Sequence, residues 1–225
     1  MESSKKIREI LEKYGGYIIL IIQDVPGLGI WIGFMSIPLL LYLLILIGTF
    51  PYSVANVIFT FFAISGYFIF ERVLIIVGLS IFLYSTYFLR KEQRDGLVTT
   101  GPYKYVRHPQ YLGILLFTIG LTSWSFVVAA ITFGVTLWQA ILGFYFNPIK
   151  IWYIEFVLYI LVALIEEMHL AKKFGEAYKK YRGETPFLIP GVKLRGGIYI
   201  EIIFTVVILL AALYGTLYIS LSSFL

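Results

Sequence analysis

Cysteine is absent from this chain of 225 residues. That excludes a disulfide framework, a thiolate metal site and a catalytic thiol. Histidine is nearly absent: His108 and His169 are the only two, too few for a histidine-rich metal cluster. Charge is scarce as well, 14% of residues against about 25% in a soluble domain. Apolar residues make up 60% of the chain and aromatic residues 18%. So much apolar surface leaves no water-facing exterior, so a soluble domain is excluded. A disordered chain is excluded by the same excess. An integral membrane protein remains. Its apolar runs are of helical length, not the alternating strands of about ten residues that build a barrel.

A membrane-spanning helix takes about 20 mostly apolar residues. Candidate runs cover residues 30–50, 52–70, 73–89, 111–146, 151–165 and 198–221. Pro51 breaks the chain after the first run, and Glu71-Arg72 interrupts the second from the third. The run 111–146 is too long for one crossing, and two crossings fit between Tyr111 and Glu166. The expectation is an all-α membrane bundle of about six transmembrane helices. Residues 5–22 alternate charge with Ile7, Ile10 and Leu11, and read as an interfacial amphipathic helix rather than a cleaved signal peptide.

The net charge of +5 matters through its location. Basic residues gather in 90–107 (Arg90, Lys91, Arg94, Lys104, Arg107) and in 172–195 (Lys172, Lys173, Lys179, Lys180, Arg182, Lys193, Arg195). The positive-inside rule puts both segments in the cytoplasm. They therefore point to a membrane, and no nucleic-acid partner is expected. Three spans between Lys13 and Arg90 would put the basic N-terminal tail outside, against that rule. Either residues 16–29 make a partial or extra crossing, or one of the three runs does not span.

Two polar segments abut apolar runs. The first, residues 96–111, ends in Arg107-His108-Pro109-Gln110-Tyr111. By composition it suits a loop with proline at the first helical turn and a snorkelling arginine. It also suits a site, because Arg107, His108, Tyr111 and Tyr103 gather hydrogen-bonding and cationic groups where the bilayer core begins. The second, residues 166–190, opens with Glu166-Glu167 at the end of an apolar run. It reads as an amphipathic helix leaving the membrane, with Glu167, Leu170, Phe174 and Tyr178 in one stripe. Adjacent carboxylates on a helix point about 100° apart, so one is expected to face the bundle and the other water. The two segments are expected to meet in one cytoplasmic-side pocket.

The ordered set is Gly-Pro-Tyr-Lys-Tyr-Val-Arg-His-Pro-Gln-Tyr, then Glu-Glu-x-x-Leu, then Phe-Gly-Glu-x-Tyr-x-x-Tyr with a Pro-x-x-x-Pro end. It resembles the isoprenylcysteine carboxyl methyltransferase and phospholipid methyltransferase superfamily over about residues 71–190. The resemblance divides the chain into N-terminal helices (1–70), a methyltransferase core (71–190) and a linker with an added C-terminal helix (191–225). It implies S-adenosyl-L-methionine as cofactor, no metal, and a lipophilic or prenylated acceptor drawn from the membrane lipids. Leu97, Val98, Tyr103, His108, Pro109, Gln110 and Tyr111 match cofactor-pocket positions, and Glu166 or Glu167 the acidic cofactor contact. Arg107, Glu166 and Glu167 are the implied catalytic set. The arginine that prenylcysteine enzymes carry shortly before the acidic pair is missing from 158–165, and Asp95 holds a place where histidine is common. Two alternatives stand beside this one. One is an NADPH-dependent sterol or enone reductase, which would show an Arg-Asp pair in place of Glu166-Glu167. The other is a non-catalytic protein that keeps the fold.

Overall fold

The computed structural model describes residues 28–49, 68–92, 96–133, 148–193 and 197–222. They form six α-helices: α1 Leu28–Thr49, α2 Ile69–Glu92, α3 Pro109–Phe133, α4 Pro148–Phe174, α5 Glu176–Glu184 and α6 Ile198–Ser222. A single 3-10 turn, Gly101–Lys104, precedes α3. The described residues contain no strand. Among the described residues four helices are long and apolar enough to cross a membrane: α2, α3 over Pro109–Ala130, α4 and α6. With α1, 22 residues long and carrying Pro38, they make the expected all-α multi-span bundle. The segment 5–22, most of the run 52–70 and the second half of the run 111–146 lie outside the described residues.

Helix boundaries follow local chemistry. Proline opens both α3 and α4, where its missing N–H costs nothing. Gly175, at φ 53°, ends α4 and turns the chain into α5. The expected stripe from Glu167 to Tyr178 is therefore split across two helices. Glu71 and Arg72, which separate the second run from the third, lie in the first turns of α2. Glu71 is fully buried there and accepts hydrogen bonds from Ser123 of α3, at 2.8 Å, and from Ser220 of α6. A carboxylate at a helix N-terminus faces the positive end of the dipole, so the sequence tolerates it inside an apolar run.

α2 and α3 pack backbone to backbone. A Cβ on Gly78 would stand 2.4 Å from the Phe117 nitrogen and 2.6 Å from the Gly113 carbonyl oxygen. One on Gly113 would stand 2.5 Å from the Phe82 nitrogen. Small residues permit this approach where lipid supplies no hydrophobic drive between helices. The outer face of α2 presents Val73, Ile76, Leu83 and Tyr87 as exposed apolar surface, as a lipid-facing helix should. On α6 the two most exposed tyrosines, Tyr199 and Tyr218, stand about 28 Å apart along the axis, close to the hydrocarbon thickness of about 30 Å. Tyrosine rings favour both interfaces.

Candidate functional site

The polar segment before α3 is shaped by its glycine. Gly101 takes φ 57°, and its Cβ position is filled by the Phe88 ring of α2. The chain then makes one 3-10 turn and enters α3 at Pro109. Tyr103 is buried; its hydroxyl donates to Gln110 Oε1 at 2.7 Å, and its carbonyl accepts from the Tyr181 hydroxyl of α5 at 2.7 Å. Burial pushes the Tyr103, Tyr178 and Tyr181 hydroxyls up from their ordinary range, so all three stay protonated. Leu97 and Val98 are half-buried.

The next residues enter the interior. Arg107, His108 and Glu167 are 4%, 1% and 3% exposed, so all three are closed off from solvent. Arg107 is engaged through each of its nitrogens. Nε donates to Glu167 Oε1 at 2.5 Å, and Nη2 to Glu201 Oε2 at 2.8 Å. Nη1 donates to the carbonyls of Arg182, at 3.0 Å, and Thr185, at 2.6 Å. His108 sits between the paired carboxylates, with Nδ1 3.3 Å from Glu166 Oε2 and Nε2 3.4 Å from Glu167 Oε1. Tyr111 donates to Glu166 Oε2 at 3.0 Å and stacks on His108, with ring centroids 5.4 Å apart. Phe187 meets the same imidazole edge-on at 5.1 Å.

The structure thus brings 96–111 and 166–190 together. Glu166 and Glu167 do not divide between bundle and water as expected. Both reach one imidazole, because His108 is wedged between their diverging side chains and presents a nitrogen to each. The division survives only in degree: Glu167 is the more buried of the two.

Sequence reading missed Glu201, a further member of this network in the first turn of α6, the helix treated as an addition. It missed Lys193 too, whose Nζ lies 2.8 Å from Glu201 Oε1. A carboxylate in the first turn of an otherwise apolar span was the available signal. It also missed Glu155, buried on the face of α4 that carries Tyr159, Ala163 and Glu167.

Burial alone would lower the pKa of His108, but the hydrogen bonds and charges of Glu166 and Glu167 outweigh it and raise the value above 6.5. The charged imidazole therefore stabilises the fold fully below about pH 6.5, the unfolded value. That contribution is lost as pH rises through the higher folded value. Melting temperature in detergent should fall across this window in the wild type, and the fall should shrink in His108→Gln. Equal slopes in the two proteins would count against a charged His108.

Membrane-length helices that bury an ion network at one end define an integral membrane protein with a built polar site. Comparison with known proteins narrows the class. Residues 57–147 match the model of the phospholipid methyltransferase family. The chain is 30% identical over 105 residues to protein-S-isoprenylcysteine O-methyltransferase B of Arabidopsis thaliana, covering 46% of this chain and 44% of that one. It is 32% identical over 103 residues to protein-S-isoprenylcysteine O-methyltransferase of Schizosaccharomyces pombe, covering 44% and 36%. The chain spans under half the length of these curated relatives. No solved structure matches it. Together the matches support the resemblance of this chain's motifs to the isoprenylcysteine carboxyl methyltransferase and phospholipid methyltransferase superfamily.

Proposed function

We propose that this chain transfers a methyl group from S-adenosyl-L-methionine to a lipophilic acceptor at the cytoplasmic face of its membrane. The observation that carries the reading is the convergence of His108, Tyr111, Glu166 and Glu167 from two separate motifs into one buried cluster. The NADPH-dependent reading draws no comparable support from the comparisons, which name methyltransferases.

The residues present suit such a cofactor. Glu167 Oε2 is buried and accepts no hydrogen bond, its nearest cation being Arg182 Nε at 3.5 Å, and the Tyr178 hydroxyl is buried without a partner. An acceptor of that kind fits ribose hydroxyls or an α-ammonium, and the Tyr111 and Phe187 rings offer flat faces. Leu97, Val98, Tyr103, Pro109 and Gln110 would complete the pocket wall. The cofactor, when bound, supplies a methyl group already made electrophilic by its sulfonium. The protein has to align the acceptor and exclude water. Glu166, the less buried carboxylate, can take the proton from an amine acceptor; a carboxylate acceptor needs no base. With all its nitrogens occupied, Arg107 acts as the organiser of Glu167 and Glu201 rather than as a group that faces the acceptor.

Titration with S-adenosylhomocysteine tests the pocket. His108→Ala and Glu167→Ala should each weaken binding about 5- to 150-fold, the weight of one charged or aromatic contact. Lys172→Ala, on the exposed end of α4, should leave affinity unchanged. Full affinity in both site variants would remove the proposed site. Labelled methyl transfer into a panel of lipids and prenylated thiols, in liposomes, would then identify the acceptor.

A further inference from the structure

The residues proposed to meet the cofactor are closed off, so some element must part before a group of that size can reach them. α3 and α4 are packed spans. The irregular strap 185–193 is the element that covers the cluster, and it is tied down at few points. The Arg107 amide donates to the Pro186 carbonyl at 3.0 Å, and its side chain holds the Thr185 carbonyl. Phe187 lies on His108 and under the Arg107 guanidinium, 5.6 Å from Cζ to ring centroid. Lys193 closes the far end, donating to the carbonyls of Arg182 at 2.6 Å and Thr185 at 3.3 Å.

Both cations that grip the strap are themselves gripped by one carboxylate of α6. Glu201 gives Oε2 to Arg107 and Oε1 to Lys193, each at 2.8 Å. Only the Lys193 arm is open to solvent, 35% exposed against 5% for Glu201. Along this seam Leu188 and Val192 of the strap face Phe204 and Thr205 of α6 across a gap too small to hold water. We propose that Glu201 is a positioning residue that latches the strap: it holds 185–193 shut over His108 and Glu167, and the site loads when the strap parts from α6. This rests on the methyltransferase reading for what is loaded, but not for the latch itself.

Amide hydrogen exchange tests the latch with no cofactor present. Glu201→Gln keeps the shape but cannot serve two cations, so exchange in 185–193 should rise about tenfold or more, the weight of one charge-assisted hydrogen bond. Exchange within α3 and α4 should stay unchanged, and Glu201→Asp should fall between the two. Unchanged exchange in the strap, or a rise spread equally over the helices, would overturn the proposal.

Because the chain has no cysteine, Val192→Cys with Thr205→Cys can be bridged by a short cleavable thiol reagent. The bridged protein should bind S-adenosylhomocysteine at least about tenfold more slowly, and recover on cleavage. Association at the unbridged rate would overturn the loading route. A wild type that binds no S-adenosylhomocysteine would overturn the methyltransferase reading and with it the loading route, while the exchange measurement still decides the latch.

Discussion

Arg107→Ala should be the most damaging single substitution in this chain. The side chain neutralises Glu167 and Glu201 together, with both carboxylates almost wholly buried. Removing one partner of a buried pair costs about 3–5 kcal/mol, because a charge is left without solvent or counterion. Here two carboxylates lose their shared buried partner, Glu167 keeping only His108 and Arg182 and Glu201 only Lys193, and two carbonyls and the stacking of Phe187 go with it. Against a total stability of about 5–15 kcal/mol, the variant should melt roughly 6–20 °C lower in detergent, or fail to be recovered folded. Arg107→Met combined with Glu167→Gln and Glu201→Gln should recover much of the loss, since the buried charges go together. The reading fails if Arg107→Ala melts within about 2 °C of wild type.

The second large effect is expected between α2 and α3. Gly78→Val would press its Cβ onto backbone atoms of Phe117 and Gly113, which no rotamer can relieve. The helices would have to separate, opening a contact that runs along both. Overpacking costs about 1–3 kcal/mol where side chains can shift, and the upper end or more applies where only backbone can. Gly113→Val should behave in the same way. Gly215→Ala on α6 is the control: nothing stands within 4 Å of its Cβ position, and alanine is the better helix former by about 1 kcal/mol. Thermal melts of the three variants in one detergent would check this. Equal melting temperatures for Gly78→Val and Gly215→Ala would refute the close approach.

The membrane class, the helical architecture and the two polar motifs were legible from composition and spacing. Apolar runs of helical length leave a chain few alternatives in a bilayer, where every backbone group must be paired within its own segment. Arg107, His108, Tyr111, Glu166 and Glu167 stood out because polar groups are costly at that depth. Which of these groups meet was a matter of tertiary structure. Spacing along a helix gives the direction of a Cβ but not the object it points at, so nothing in the sequence placed His108 between two adjacent glutamates. Glu71 looked like an interruption until Ser123 and Ser220 came to it from α3 and α6. Glu201, 94 positions from Arg107, was one acid in a span read as an addition. Its partner became visible only when α6 packed beside the strap, because an ion pair is specified by distance in space and the sequence records only order along the chain.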